Sequence, residues 1–135
     1  MSETPRILFV DDEERILRSL VMMFKSSFQV HSTTDPDEAL ALLRKHHFHV
    51  LVSDQRMPQM LGVDLLRRAR EISPNTMRLL LTGYSDLAAI VGSINEGEIF
   101  RYINKPWDPD ELRSTLQRAA EIGVQLEAAS SHPLP

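Results

Sequence analysis

Val50-Leu51-Val52-Ser53-Asp54 is an apolar run closed by a carboxylate, and three other stretches of the chain repeat its form. Ile7-Leu8-Phe9-Val10 leads into Asp11-Asp12, Leu79-Leu80-Leu81 into Thr82, and the run 99–103 into Asn104-Lys105-Pro106. Short runs rich in Val, Ile and Leu, without polar alternation, read as strands buried on both faces. The polar residues then lie just past the strands' carboxyl ends, the edge where open parallel sheets bind ligands.

Between these runs lie amphipathic stretches of helical period, which gives five strand–helix units over 6–121. The first helix, expected over 13–25, places Ile16, Leu17, Leu20, Val21 and Phe24 at spacings of three and four, so one of its faces is core. The second and fifth helices open with the same tetrad, Asp35-Pro36-Asp37-Glu38 and Asp108-Pro109-Asp110-Glu111. Each offers Asp as N-cap, proline at the first helical position and Glu three residues after the cap, a capping-box pattern. The third helix is expected over 62–72, before Pro74, and the fourth over 86–96, capped by Ser85 and released at Gly97.

Single strands separated by helices pair in parallel through right-handed crossovers. The expected class is therefore α/β, a doubly wound sandwich. The second strand, Phe28-Gln29-Val30-His31-Ser32, alternates apolar and polar residues and reads as an edge strand. That fits the strand order 2-1-3-4-5, which sets the first and third strands side by side and brings Asp11, Asp12 and Asp54 together. Residues 1–5 form an N-terminal extension, 6–121 the domain, and 122–135 a linker or helix extension towards a further domain.

The 135 residues are enough for one domain with its own core, and 42% hydrophobic with 25% charged residues excludes wholesale disorder. The absence of cysteine removes disulfides and thiolate metal sites. No apolar run reaches the roughly 18 residues of a membrane span, and the first residues lack a signal-peptide pattern, so a cytoplasmic protein is expected, with no membrane partner. A net charge of -4 gives no electrostatic drive towards direct nucleic-acid binding.

Three carboxylates crowded at one sheet edge repel each other unless a cation intervenes. Oxygen ligands without imidazole or thiolate favour Mg2+, which also accepts phosphate oxygens. One carboxylate could then attack phosphorus, and Asp54, after the central strand, is the candidate nucleophile. Asp11 and Asp12 are the candidate metal ligands; Lys105 offers a cation and Thr82 a hydroxyl for phosphoryl oxygens.

These residues, in this order, resemble the receiver domain of two-component response regulators. The resemblance covers 6–121 and rests on Asp11-Asp12, Asp54 with Met57-Pro58 and Gly62 behind it, Thr82-Gly83, Tyr102 and Lys105-Pro106. It implies a flavodoxin-like sandwich whose Asp54 is phosphorylated from a phosphohistidine on a sensor histidine kinase. It implies Mg2+ held by Asp11, Asp12, Asp54 and the backbone carbonyl of Arg56, with Thr82 and Lys105 binding the phosphoryl group. Movement of Thr82 would let Tyr102 turn inward and reshape the face of the fourth helix, fifth strand and fifth helix, to which Arg101 also belongs. That face is the expected surface for a homodimer or for the chain's own effector domain. The resemblance further implies a cis Lys105-Pro106 bond. Weaker likenesses point to receivers ahead of NtrC-like transcription activators or HD-type phosphodiesterases.

Arg56 and Tyr84, at positions flanking the path of hydrolytic water in the family, are expected to shield an aspartyl phosphate. On the fourth helix, Leu87, Ile90, Val91 and Ile94 are expected to face the core. That leaves Ala88, Ala89, Gly92, Ser93 and Asn95 as an uncharged face suited to a partner. Blander readings stand beside these. Asp11 and Asp12 could cap the first helix, His46, His47 and His49 read as surface residues, and Arg67, Arg68 and Arg70 as a solvated helix face. Three other functions weigh less. A phosphohydrolase with an Asp nucleophile expects a second Asp where Arg56 stands, a nucleotide-binding module expects glycines where Asp11-Asp12-Glu13-Glu14 stands, and a phosphate-independent scaffold has no need of the acidic pocket.

Overall fold

The computed structural model describes residues 4–83 and 87–130, with the backbone alone at Leu87, Ala89, Ser93 and Asn95. Its elements are β1 (Arg6–Val10), α1 (Glu14–Phe24), β2 (Gln29–Thr33), α2 (Pro36–Lys45) and β3 (Val50–Asp54), followed by α3 (Gly62–Ile72), β4 (Met77–Thr82), α4 (Leu87–Asn95), β5 (Arg101–Asn104) and α5 (Pro109–Ser130). The strands form one parallel sheet in the order β2-β1-β3-β4-β5. Tyr84, Ser85 and Asp86 lie outside the described residues, so the cap expected at Ser85 and the place of Tyr84 are not part of this description.

Successive side chains on a strand point to opposite faces, and this alternation divides the core in two. Ile7, Phe9, Val50, Val52, Leu79 and Leu81 face α1 and α5, where they meet Leu17, Leu20, Phe24, Leu112 and Leu116. Leu8, Val10, Leu51 and Leu80 face the other way, against Leu40, Leu43, Leu65, Leu66 and Ile90. A strand with both faces covered cannot alternate with polar residues, which is why β1, β3 and β4 read as apolar runs. β2, by contrast, is mostly exposed, as an edge strand can be.

The structure departs from the sequence reading in a few places. The capping boxes do not form: the Asp35 side chain accepts from the amide of Asp37 at 2.9 Å and that of Asp108 from Asp110 at 3.3 Å. The Asp35 amide, which a box would pair with Glu38, donates to Thr33 Oγ1 at 3.1 Å. Val91 faces outward at 45% exposure, whereas its neighbour Ile90 is buried in the core and Ile94 is half-buried. Gly97 adopts a φ of 81°, the left-handed conformation that releases a helix after its last turn. Of the two readings of 122–135, linker or helix extension, the second describes the residues up to Ser130, where α5 ends. No helix among the described residues is long and apolar enough to cross a membrane.

Packing makes a direct prediction for stability. Leu80 is fully buried on β4, whereas Met22 is 67% exposed on α1. Leu80→Ala is expected to cost about 2–5 kcal/mol in urea unfolding, and Met22→Ala to stay within about 0.5 kcal/mol of the parent.

Candidate functional site

Strand register assembles the site. β1 pairs with β3 from Ile7↔Val50 to Val10↔Ser53, so Asp11 and Asp54 follow adjacent strands at the same edge. β3 sets Asp54 opposite Leu81, and β4 sets Thr82 opposite Asn104, the residue before Lys105. Asp11 is fully buried, Asp54 and Thr82 nearly so, and Asp12 is exposed. Carboxylate oxygens of Asp11, Asp12 and Asp54 all lie within 4.8 Å of one another. Lys105 Nζ bridges two of these groups, 3.1 Å from Asp11 Oδ2 and 3.0 Å from Asp54 Oδ1. The other Asp11 oxygen accepts from the Glu13 amide at 2.9 Å, so Asp11 serves the entry to α1 as well as the acidic cluster.

Two local devices hold Asp54 in place. The amide of Gln55 donates to the Leu81 carbonyl at 3.0 Å, and its side-chain oxygen accepts from Val63 at 3.0 Å. Gln55 thereby links the end of β3 to β4 and to the first turn of α3, satisfying an amide that the helix itself leaves unpaired. Gly62 then packs directly on the Asp54 carbonyl, where a Cβ would also fall 2.7 Å from Leu80 Cδ1. Only glycine permits that approach. On the far side the Lys105 amide donates to the Thr82 carbonyl at 2.9 Å and the Lys105–Pro106 bond is cis. Gln55 was not among the residues singled out in the sequence, since nothing in its spacing distinguishes it from an ordinary loop glutamine.

The electrostatics follow from crowding. Burial is the largest influence on the Asp54 carboxyl and pushes its pKa above the ordinary value; the bond from Lys105 opposes this, and the charges of Asp11 and Asp12 add to it. Burial pulls Lys105 down, yet its bond to Asp54 and the charges of Asp11 and Asp54 outweigh that and leave its pKa raised. One lysine thus offsets part of the charge of three carboxylates. The residual negative charge, and a donor set made only of oxygens, fit a hard divalent cation.

The other residues marked in the sequence are spread around this centre. Arg56 is exposed two residues beyond Asp54. Tyr102 is half-buried beside the Leu8–Leu80 half of the core, and Arg101 is exposed with its guanidinium 5.4 Å from the Phe100 ring centre. Ala88 and Gly92 are exposed on α4. Arg67 pairs with Asp64 at 2.9 Å and with buried Glu98 at 3.2 Å, which ties α3 to the segment before β5. The histidines depart from the surface reading: His46 is exposed and His47 half-buried, but His49 is buried at 4% exposure. It lies just before β3, at the opposite end of that strand from Asp54, and is buried there against Gly123 and Glu127 of α5.

Residues 7–117 match the family model described as the response regulator receiver domain. The hydrogenase transcriptional regulatory protein HoxA of Bradyrhizobium diazoefficiens is 36% identical over 98% of this chain, which spans 29% of that relative's length. The signal receiver domain of an HD domain-containing protein from Pseudomonas fluorescens superposes with a TM-score of 0.86 at 37% identity, covering 98% of this chain and 96% of the other. A Rhodopirellula baltica structure described as an adenylate cyclase superposes with a TM-score of 0.90 at 33% identity, covering 96% of both chains.

A carboxyl whose pKa is raised on folding binds more protons in the folded state between its ordinary value of 3.8 and the raised one. Stability therefore falls as pH climbs through that window and stays lowered above it. Asp54→Asn removes this loss and leaves Lys105 its bond to Asp11. Without divalent metal, the variant is expected to be more stable than the parent near pH 7, with the difference shrinking towards pH ~3. Urea unfolding at both pH values measures this, and a variant less stable than the parent at neutral pH contradicts it.

Proposed function

This chain belongs to the response regulator receiver family, and we propose that it accepts a phosphoryl group on Asp54 from the phosphohistidine of a sensor histidine kinase. The observation that carries this reading is the Lys105 ammonium poised between Asp11 and Asp54 at 3.1 and 3.0 Å, at the mouth of an all-oxygen cluster. The Asp54 carboxylate attacks phosphorus, the P–N bond to the donor imidazole breaks, and its electron pair leaves with the nitrogen. Asp11, Asp12, Asp54 and the backbone carbonyl of Arg56 are the groups proposed to hold Mg2+. When bound, Mg2+ supplies charge neutralisation at the phosphoryl oxygens.

The remaining roles belong to the chain itself. Lys105 exchanges its contact with Asp54 for a phosphoryl oxygen, and the Thr82 hydroxyl, which in this structure donates to the Gly83 carbonyl at 3.3 Å, turns to another. Removal of the Thr82 side chain from its present position opens room for Tyr102, whose strand neighbour is Leu80. The α4–β5–α5 face, with Ala88, Ala89, Gly92 and Arg101, changes shape and passes the signal to an effector or to a second copy. Transcriptional control by an effector domain in a longer chain is supported by HoxA, of which this chain matches about a third. A cytoplasmic location goes with that role. The phosphohydrolase alternative is disfavoured because exposed Arg56 stands where a second acid is expected.

Incubation with acetyl phosphate and Mg2+ followed by intact-mass measurement is expected to add one phosphoryl group to the parent. Asp54→Asn, or the parent with the metal chelated, should add none. Equal gain by Asp54→Asn defeats the assignment. If Arg56 and Tyr84 shield the product, Arg56→Ala or Tyr84→Ala should shorten the aspartyl-phosphate half-life severalfold, and an unchanged half-life in both removes the shielding role.

A further inference from the structure

Near its end α5 packs on His49, a residue just before β3 that the phosphorylation chemistry does not use. Every polar group of His49 is engaged. Its amide donates to the Arg6 carbonyl at 2.9 Å, and its carbonyl accepts from Met77 at 2.9 Å. The Arg6 amide donates to Nδ1 at 3.0 Å, and Nε2 lies 2.8 Å from Glu127 Oε1. Since Nδ1 offers its lone pair to Arg6, the ring hydrogen sits on Nε2 and is donated to Glu127. This bond is the largest influence on the Glu127 carboxyl and holds it below the ordinary value.

One turn earlier on the same helix, Gly123 is buried against His49. A Cβ at that position would fall 2.6 Å from the His49 carbonyl oxygen and 3.1 Å from its Cβ. Glycine is disfavoured in a helix interior relative to alanine, and here it permits backbone contact with the residue before β3. Gly123 and Glu127, four residues apart, thus grip one buried histidine from the same helix face.

We infer that Gly123 and Glu127 latch the C-terminal turns of α5 onto His49, fixing the direction in which the chain leaves the domain. Displacement of α5 is then passed on as movement of a rigid rod. The latch stands on these contacts alone, while its use in signalling rests on the receiver reading. His47, His49 and Glu127 also bring potential metal ligands within 4.8 Å of one another, and His47 Nε2, 3.7 Å from Glu127 Oε2, has no hydrogen-bond partner among the described residues. A metal would need the Nε2 lone pair of His49, which the hydrogen donated to Glu127 occupies. The latch is therefore a hydrogen bond without metal.

Hydrogen exchange, read by mass spectrometry on the full chain, tests the latch. Glu127→Ala is expected to speed exchange in peptides covering 124–130 by about tenfold or more, with peptides from β1 and β3 unchanged. Glu127→Gln, which keeps the acceptor oxygen, should retain most of the protection. Because the chain has no cysteine, Lys45→Cys with Ser130→Cys can carry a spin-label pair whose distance distribution should broaden on Glu127→Ala. Exchange within twofold of the parent, equal acceleration throughout the domain, or protection that appears only on adding Zn2+ overturns the latch. Asp54 phosphorylation by acetyl phosphate, followed in the same variants, should persist; its loss in the parent would count against the receiver reading and leave the latch intact.

Discussion

Mutual repulsion among three carboxylates at the end of a parallel sheet is the constraint around which this molecule is organised. Asp11 is wholly buried and Asp54 nearly so, with their oxygens within 4.8 Å of each other and of Asp12. Burial alone disfavours the charged forms, and proximity compounds it. Lys105, carried in from the last strand, offsets part of this charge. The remainder favours further positive charge at the pocket, the basis of the proposed Mg2+ site.

The scaffold meets that demand by being rigid where it must be. Asp54 is fixed by the Gly62 backbone behind it and by Gln55, which joins β3, β4 and the entry to α3. Thr82 and Lys105 are joined through a backbone bond of 2.9 Å, so a change at either position is felt by β4 and β5 together. On the other side of β4, Tyr102 is half-buried, and Ala88, Val91 and Gly92 of α4 are exposed. Firmly held walls beside an exposed helix surface suit the proposed conversion of a local charge change into a change of surface.

Most of this architecture was written in short apolar runs. β1, β3 and β4 are covered on both faces, so their composition betrayed them, and the polar residue after each run marked the functional edge. Edge strand β2 was legible for the opposite reason, its alternation. What escaped was information carried by tertiary contact. Glu38 looked like part of a capping box, but Thr33 had already taken the Asp35 amide. His49 looked like one of three surface histidines, and Gly123 like the start of a linker. Their meaning appears only when the end of α5, more than 70 positions later, is laid across the start of β3; His49 and Glu127 are 78 residues apart in sequence. Val91 escaped because α4 has few large residues to fix its phase, so a one-position rotation could not be read from the pattern.

If uncompensated charge at Asp11, Asp12 and Asp54 creates a divalent-cation site, folding and cation binding are linked. Urea unfolding should be followed with increasing MgCl2 and, at matched ionic strength, with NaCl. Mg2+ is expected to stabilise the parent progressively, as binding to the folded state alone requires, while NaCl does much less and Asp12→Ala largely abolishes the Mg2+ response. Equal stabilisation of the parent and Asp12→Ala, or no difference between the two salts, would contradict it.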